Sequence, residues 1–257
     1  VIDRHGADAF RWYFLTNKLP WDGYLFSVDA VGDSLRQFLL QLWNTYGFYV
    51  LYANVNGIEP AVVAPANDLD RWILSRLAAT VETVTDRLEH YDATRGGHAI
   101  AEFVDDLSNW YVRRSRRRFW DGDPAAFSTL RRCLVTVSQL LAPFTPFIAD
   151  EIYDNLDGSE PSVHLTDWPT PGERDERLEF EMATVRETVR LGLAARGQAK
   201  IKVRQPLRAA VVVAAGDERA AIERLADVVL EELNVKELRY VSQADELGSY
   251  EVKPNYR

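Results

Sequence analysis

The sequence has little of what disulfide-linked, metal-binding and membrane proteins depend on. Its 257 residues include one cysteine, Cys133, so no disulfide can form within the chain. The four histidines are scattered, with no pair at the spacing of metal ligands, which argues against a structural zinc site. No apolar run approaches the ~18 residues that a transmembrane helix needs, and the start has no signal-peptide pattern. We therefore expect a cytoplasmic protein with no membrane partner.

An excess of positive charge is also missing, and so is a starting methionine. The formal net charge is −9, so any surface for nucleic acid has to be local. The chain begins at Val1 within a segment of helical spacing and ends in KPNYR after a strand-like stretch. We therefore expect a piece of a larger protein.

Apolar periodicity predicts a mainly α protein followed by a small, truncated α/β domain. Helices are expected at about 1–14, 27–52, 68–90, 92–120, 124–141 and 174–196, with Ser27 and Asp92 as N-caps and a break at Pro143 to Pro146. Strands are expected at LRAAVVVAA and VKELRYV, with a helix capped by Asp217 between them, and a third strand at SYEVKPN. The predicted divisions are a connector over 1–26, a helical domain over 27–172 and the start of an α/β domain over 173–257.

What stands out in this acidic chain is a short basic stretch, LSNWYVRRSRRRFW, at residues 107–120. Arginine fills five of the six positions from 113 to 118. An apolar stripe from Ile100 to Tyr111, continued at helical spacing, reaches Arg114, Arg117 and Arg118. The pattern therefore predicts a helix that packs in the core along its first half and leaves the core along its second half.

Two interpretations of these arginines stay open. A charged run on an exposed face can be held by salt bridges, although Asp121 is the only carboxylate within three or four residues. Like charges four apart, such as Arg113 and Arg117, destabilise a helix unless a partner compensates them. The other interpretation is a surface for a polyanion, because the planar fork of arginine matches phosphate.

Two further features extend the candidate surface. Phe119 and Trp120 fall off the apolar stripe, so both are candidates for exposure, with anchoring of the next loop as the alternative. A second basic cluster comprises Arg196, Lys200, Lys202 and Arg204 in RGQAKIKVRQP. Alternation about Ile201 predicts that Lys200 and Lys202 share one side of an extended segment, and a solvated linker is the alternative.

Several long stretches resemble one family in the expected order. VIDRHGADAFRWYFL, LDRWILSRL, FVDDLSNWYVRRSRRRFW, LAPFTPFIADEIY and SVHLTDWP are similar to the segments that follow the KMSKS loop in class I aminoacyl-tRNA synthetases of the isoleucine, valine and leucine group. NWYVRRSRRRFW looks specifically like the isoleucyl-tRNA synthetases, as do KIKVRQPL and VKPNYR. The resemblance covers essentially the whole chain and implies a C-terminal fragment with the helical anticodon-binding domain.

The resemblance implies a function for the arginines. The fragment would bind the anticodon stem-loop of isoleucine tRNA and position it for ATP-dependent aminoacylation and editing by upstream domains of the same chain. The HIGH-type motif and the KMSKS loop do not occur here, so no catalytic residue, metal or cofactor is expected in the fragment, although the parent enzyme uses ATP with Mg²⁺. The RNA-binding candidates are Arg113, Arg114, Arg116, Arg117, Arg118, Trp120, Arg196, Lys200, Lys202 and Arg204.

Other readings stay open beside this one. Asp8 and Arg11 look like hinge residues between the catalytic body and the bundle, or they belong to an ordinary surface helix. The chain as a whole could be the equivalent part of a valyl- or leucyl-tRNA synthetase. It could also be a helical module that binds an acidic protein through the arginines.

Overall fold

The computed structural model of the chain describes residues 1–19, 21–23 and 26–242. A first compact unit spans Val1–Asp175, and a second begins at Glu176. The residues that sequence analysis sets apart as a connector, up to 26, belong to the first unit. The mainly α architecture with a small α/β part after it is as predicted.

The first unit is built of helices joined by turns and loops. They are α1 (Ile2–His5), α2 (Ala7–Thr16), α3 (Val28–Ser34), α4 (Leu40–Asn56), α5 (Asp68–Glu89), α6 (Ala93–Asp105), α7 (Arg113–Trp120), α8 (Pro124–Leu141) and α9 (Pro146–Leu156). Two π-helical turns, Leu35–Leu39 and Asp106–Val112, join α3 to α4 and α6 to α7, and a 3₁₀ turn covers Val163–Leu165. The predicted break between α8 and α9 is confirmed.

Polar side chains at the helix starts explain where the helices begin. The Ser27 hydroxyl accepts from the amide of Ala30 at 3.2 Å, and the Asp92 carboxylate accepts from the amide of Arg95 at 3.0 Å. Both predicted N-caps are therefore confirmed, and each satisfies a helix-end donor that would otherwise lack a partner. The predicted cap at Asp217 is wrong, because that helix begins at Gly216 after Ala215.

The π-helical turn before α7 corrects the predicted register of the arginines. The buried side follows steps of four residues through Leu107, Tyr111, Ser115 and Phe119. Steps of four exceed the 3.6 residues of an α-helical turn, and the wider π turn takes up the difference. The fully buried stripe therefore continues into Ser115 and Phe119. Of the three arginines that the α-helical period predicts on this side, Arg114 and Arg118 are half-buried and Arg117 is exposed.

The second unit contains one parallel strand pair with helices. Its elements are α10 (Glu176–Gln198), β1 (Leu207–Val213), α11 (Gly216–Arg224), α12 (Ala226–Leu233) and β2 (Val235–Val241). Strands β1 and β2 pair in parallel, from Leu207 opposite Val235 to Val213 opposite Val241. Both predicted strands are confirmed, and the single predicted helix between them is divided into α11 and α12. The predicted third strand at SYEVKPN lies outside the described residues.

Within the part of the chain that the structure describes, no helix combines the length and the apolar character that crossing a bilayer requires.

Candidate nucleic-acid interface

A buried carboxylate at the start of α5 organises the arginine helix. Asp70 has no exposed surface. Its oxygens accept from both Arg118 Nη atoms at 2.6 and 2.8 Å, from the Tyr111 hydroxyl at 2.9 Å and from the Ala66 amide at 2.9 Å. A buried charge is tolerated only when it is paired and hydrogen-bonded, and this one is. The network joins α5 to α7 and to the π turn before it.

Arg118 is the arginine that completes this network. Its Nε also donates to Asp123 Oδ2 at 2.7 Å, so its guanidinium is engaged by two carboxylates. Burial lowers the pKa of Arg118, but the hydrogen bonds to Asp70 and Asp123 together with the neighbouring negative charge leave that pKa raised. Burial raises the pKa of Asp123, but the hydrogen bond and charge of Arg118, together with the amides of Ala125 and Ala126, leave that pKa lowered. Arg118 is thus a structural cation, and we remove it from the predicted RNA-binding set.

The first two arginines of the run, Arg113 and Arg114, lie over an aromatic ring. The guanidinium carbons of Arg113 and Arg114 are 5.4 and 5.5 Å from the centroid of the Trp110 ring, within the range of cation–π attraction. Arg113 Nε donates to the carbonyl of Asn109 at 2.8 Å. Arg113 is exposed and Arg114 is half-buried. This stacking orients two positive charges at the outer side of the helix.

The remaining two arginines of the run are exposed. Arg117 lies 3.7 Å from Asp121, with 89% of its side chain exposed, and such surface pairs stabilise a protein by roughly 0–1 kcal/mol. Arg116 forms no ion pair with any residue that the structure describes. The salt-bridge interpretation therefore applies to Arg118, applies weakly to Arg117, and leaves Arg116 unexplained.

The two aromatic residues that end α7 have opposite surroundings. Phe119 is fully buried and makes edge contacts with the rings of Phe48, Tyr111 and Phe127, so the prediction of exposure is wrong there. Trp120 is 57% exposed. The step of four from Ser115 places Phe119 in the core and leaves the indole of Trp120 outside.

The second basic cluster is only partly at the surface. Arg196 is buried and donates to the backbone carbonyls of Leu233, Lys202, Gln205 and Asn234 at 3.0 to 3.2 Å. Its guanidinium holds the turn after α10 to the end of α12. We therefore remove Arg196 from the predicted RNA-binding set, because its donors point into the protein.

The other members of that cluster are exposed: Lys200, Lys202 and Arg204. The extended backbone predicted here is wrong at Lys200, which has φ of 56° and closes a turn onto the carbonyl of Gly197. Their role in binding stays a prediction.

Asp8 and Arg11 hold α2 to the turn between α8 and α9. The Asp8 carboxylate accepts from the Ile148 amide at 2.7 Å, in the first turn of α9. Arg11 donates to the carbonyls of Pro143 and Phe144 at 2.6 and 3.0 Å, after the end of α8. A carboxylate at a helix start and a cation at a helix end both match the helix dipole. Both residues are therefore fixed within the first unit.

Asp70 is the site residue that sequence reasoning missed. The only signal was an aspartate in the first turn of a helix, which is common at exposed helix starts. Among the described residues, no group of three or more His, Cys, Asp and Glu side chains is placed to hold a metal ion.

Comparison with known proteins identifies the family of the chain. The profile described as "Anticodon-binding domain of tRNA ligase" matches residues 70–212, more than half of the chain and the whole of the arginine run. The chain belongs to the anticodon-binding domain family of tRNA ligases. The candidate interface lies within this anticodon-binding domain.

Similar curated proteins are isoleucine–tRNA ligases. That of Deinococcus radiodurans is 48% identical over 99% of this chain and 25% of its own length. Those of Dehalococcoides mccartyi and Porphyromonas gingivalis are 47% and 42% identical over the whole chain, which corresponds to 26% and 24% of their lengths. The chain thus spans about a quarter of the length of the curated relatives it matches.

A solved structure shares the fold. A LeuRS of Agrobacterium radiobacter K84, crystallised as a ternary complex with tRNA and LeuAMS, aligns with a TM-score of 0.51 and 19% identity. The alignment covers 93% of this chain and 28% of the LeuRS chain.

Proposed function

We propose that the chain is the tRNA-docking part of an isoleucine–tRNA ligase and that it binds the anticodon stem-loop through α7. The observation that supports this proposal most directly is that Asp70 binds the inward-pointing Arg118 and so fixes the position of α7. The outer arginines, here called the arginine ridge, are Arg113, Arg114, Arg116 and Arg117. Phosphate contacts of this kind set the register and orientation of a nucleic acid on a protein.

A fixed helix suits this task because arginine donors act best when their position is set in advance. The forked guanidinium binds phosphate through two donors at once, which lysine cannot do. The electrostatic repulsion among these four arginines is offset in part by the Trp110 ring and by the hydrogen-bond network around Asp70. The exposed Lys200, Lys202 and Arg204 are proposed as further phosphate contacts.

The partners follow from the names of the relatives. We propose isoleucine tRNA as the ligand, held so that its acceptor end reaches an upstream catalytic domain of the same chain. Aminoacylation, editing and the use of ATP with Mg²⁺ are assigned to those other parts. We also propose that the protein acts in the cytoplasm, where tRNA is charged for protein synthesis.

The test is binding of isoleucine tRNA and valine tRNA to the 257-residue chain across a salt series. We expect log K to fall with log salt at roughly 0.7–0.9 per phosphate contact, giving a slope of several units. Arg117→Glu should weaken binding and reduce the slope by about one or more, because a contact is lost and a repulsion is added.

Arg208→Glu is the matched control. Arg208 is 85% exposed and lies 3.7 Å from Glu237, as Arg117 is 89% exposed and lies 3.7 Å from Asp121. An equal loss in both variants would point to overall charge rather than to the ridge. No binding of either tRNA to the folded protein would overturn the proposal.

A further inference from the structure

An apolar groove of about 670 Å³ lies beside the parallel strand pair of the second unit. One wall is α10, on which Phe180 and Leu191 are about half exposed. The other wall is β1, on which Val211 and Val213 are exposed to a similar degree. Buried side chains of α11 and α12, among them Leu233, lie at its base. Large apolar side chains gathered in an exposed concave surface are a mark of an interaction site.

The position of α10 is set by α12, which leaves the groove between α10 and β1. Gly192 of α10 lies so close to α12 that a Cβ atom there would come within 2.6 Å of the Leu233 side chain. Further along α10, Arg196 donates to the carbonyls of Leu233 and Asn234 at the end of α12. With α10 held in this way, the groove cannot be closed by a small movement of the helix toward β1.

The groove follows the free edge of β1. In the part of the chain that the structure describes, the sheet has two strands, so β1 is bonded to β2 on one side and to no strand on the other. Consecutive residues 210–214 line the groove and no residue of β2 does, which places the groove on the side away from β2. A free edge presents backbone donors and acceptors that pair with another extended segment.

The two strands differ in how well they would accept a neighbour. The exposed residues of β2 are Lys236 and Arg239, and charged side chains of this kind protect an edge from pairing. Beside the groove, β1 exposes Val211 and Val213 instead. A further strand is therefore expected on β1.

We propose that the groove is occupied by the chain's own segment SYEVKPN, residues 249–255, added to the free edge of β1 as a third strand. This segment lies outside the described residues, and its sequence predicts a strand. Tyr250, Val252 and Pro254 alternate with polar residues, so an extended backbone brings all three to one side, which matches the apolar walls. Pro254 also suits an edge strand, because its missing amide donor costs nothing on the solvent side.

The connection from β2 is long enough for this occupant. Neighbouring strands are about 4.8 Å apart, so the outer edge of β1 lies roughly 10 Å from β2. The stretch 242–248, between the end of β2 and the segment, can span up to about 23 Å. A short tether gives an effective concentration in the millimolar range, which a second copy of the chain at micromolar concentration does not reach.

The first test is photo-crosslinking within the 257-residue chain. Replacing Tyr250 with p-benzoylphenylalanine places a photoreactive ring on the apolar side of the segment, and the crosslinked peptides are identified by mass spectrometry. We expect crosslinks within one chain to α10 or β1, in peptides that contain Phe180, Leu191 or Val211. Crosslinks between two chains, crosslinks only to residues outside the groove, or no crosslinks would each overturn the proposal.

Substitutions in the groove test the same contact by amide hydrogen exchange over residues 207–213. An added strand bonds the outward amides of β1 and slows their exchange. Val211→Asp and Leu191→Asp should each speed this exchange about tenfold and remove the crosslink. Leu191 lies on α10, so its variant leaves the sequence of the strand unchanged. Circular dichroism verifies that each variant is folded.

Val203→Asp is the matched control. Val203 is 44% exposed, against 47% for Val211, and it does not line the groove. This variant should change neither the exchange of residues 207–213 nor the crosslink. An equal effect of Val203→Asp and Val211→Asp would show that added charge, rather than loss of the occupant, is responsible, and the proposal would fail.

A second matched pair lies in the segment itself. Val252→Asp should reproduce the effects of the groove variants, because Val252 belongs to the apolar side. Lys253→Asp, at the next position and on the opposite side, should leave exchange over residues 207–213 unchanged. Equal effects of these two variants, or none from either, contradict the predicted strand. These substitutions leave the arginine ridge intact, so their results are independent of tRNA binding.

Discussion

Neighbouring residues of one type perform different tasks in this protein. Arg118 is surrounded by Asp70 and Asp123 and holds the bundle together, whereas Arg117, one position earlier, is almost fully exposed. The difference comes from the direction of each side chain on α7. An arginine that points inward needs acceptors for its donors, and Arg118 finds them in two carboxylates.

The first prediction concerns this buried pair. Arg118→Ala leaves Asp70 as a buried carboxylate without its cation, and we expect the free energy of unfolding to fall by about 3–5 kcal/mol. Arg117→Ala should change it by no more than about 0.5 kcal/mol, since that side chain is exposed. Urea unfolding followed by circular dichroism measures both. If Arg118→Ala cost no more than Arg117→Ala, the network would not be holding α7.

At the scale of elements, close approach between helices is set by small residues. Gly97 of α6 lies against α2, where a Cβ atom would come within 2.4 Å of Thr16 Cγ2. Thr16 cannot easily yield, because its hydroxyl donates to the carbonyl of Trp12 at 2.7 Å. A Cβ atom at Gly96 would meet its nearest neighbour at 3.6 Å, an ordinary contact.

A matched pair of variants tests this contact. Gly97→Ala should lower the free energy of unfolding by about 1–3 kcal/mol, because the added methyl group forces α6 and α2 apart. Gly96→Ala, at the neighbouring buried position of the same helix, should be neutral or stabilising by up to about 1 kcal/mol, since alanine favours helix. Thermal or urea unfolding distinguishes them, and equal effects would show that the α2–α6 contact is loose.

At the scale of the whole molecule, an acidic protein presents a local basic surface. The net charge of −9 coexists with a local run of five arginines, of which Arg113, Arg116 and Arg117 are exposed and Arg118 is held by Asp70 and Asp123. The chain also corresponds to only about a quarter of the length of its isoleucine–tRNA ligase relatives.

The prediction at this scale is that the chain alone does not activate isoleucine. Incubation with isoleucine, ATP and labelled pyrophosphate should produce no exchange into ATP, because the HIGH-type and KMSKS motifs are absent from its sequence. A full-length isoleucine–tRNA ligase serves as the positive control. Exchange above background would mean that these residues contain an amino-acid activation site.

Much of the fold could be predicted because its signals are local. The N-caps at Ser27 and Asp92, the proline break before α9 and the two β-branched strands each depend on a few neighbouring residues. The π-helical turn could not be predicted, since its cause is the packing of Tyr111 and Phe119 against other helices. The buried state of Arg196 escaped prediction for the same reason, because its carbonyl partners come from distant turns.

The sequence by itself determined the helical class, the strand pair and the presence of a concentrated arginine run, because periodicity and composition act over short distances. Only the tertiary structure decided which arginines face outward. One residue of register shift in the π turn rotates α7 by roughly 100° and brings Ser115 and Phe119 into the core. A carboxylate far away in sequence, Asp70, then holds Arg118 inside and leaves the arginine ridge at the surface.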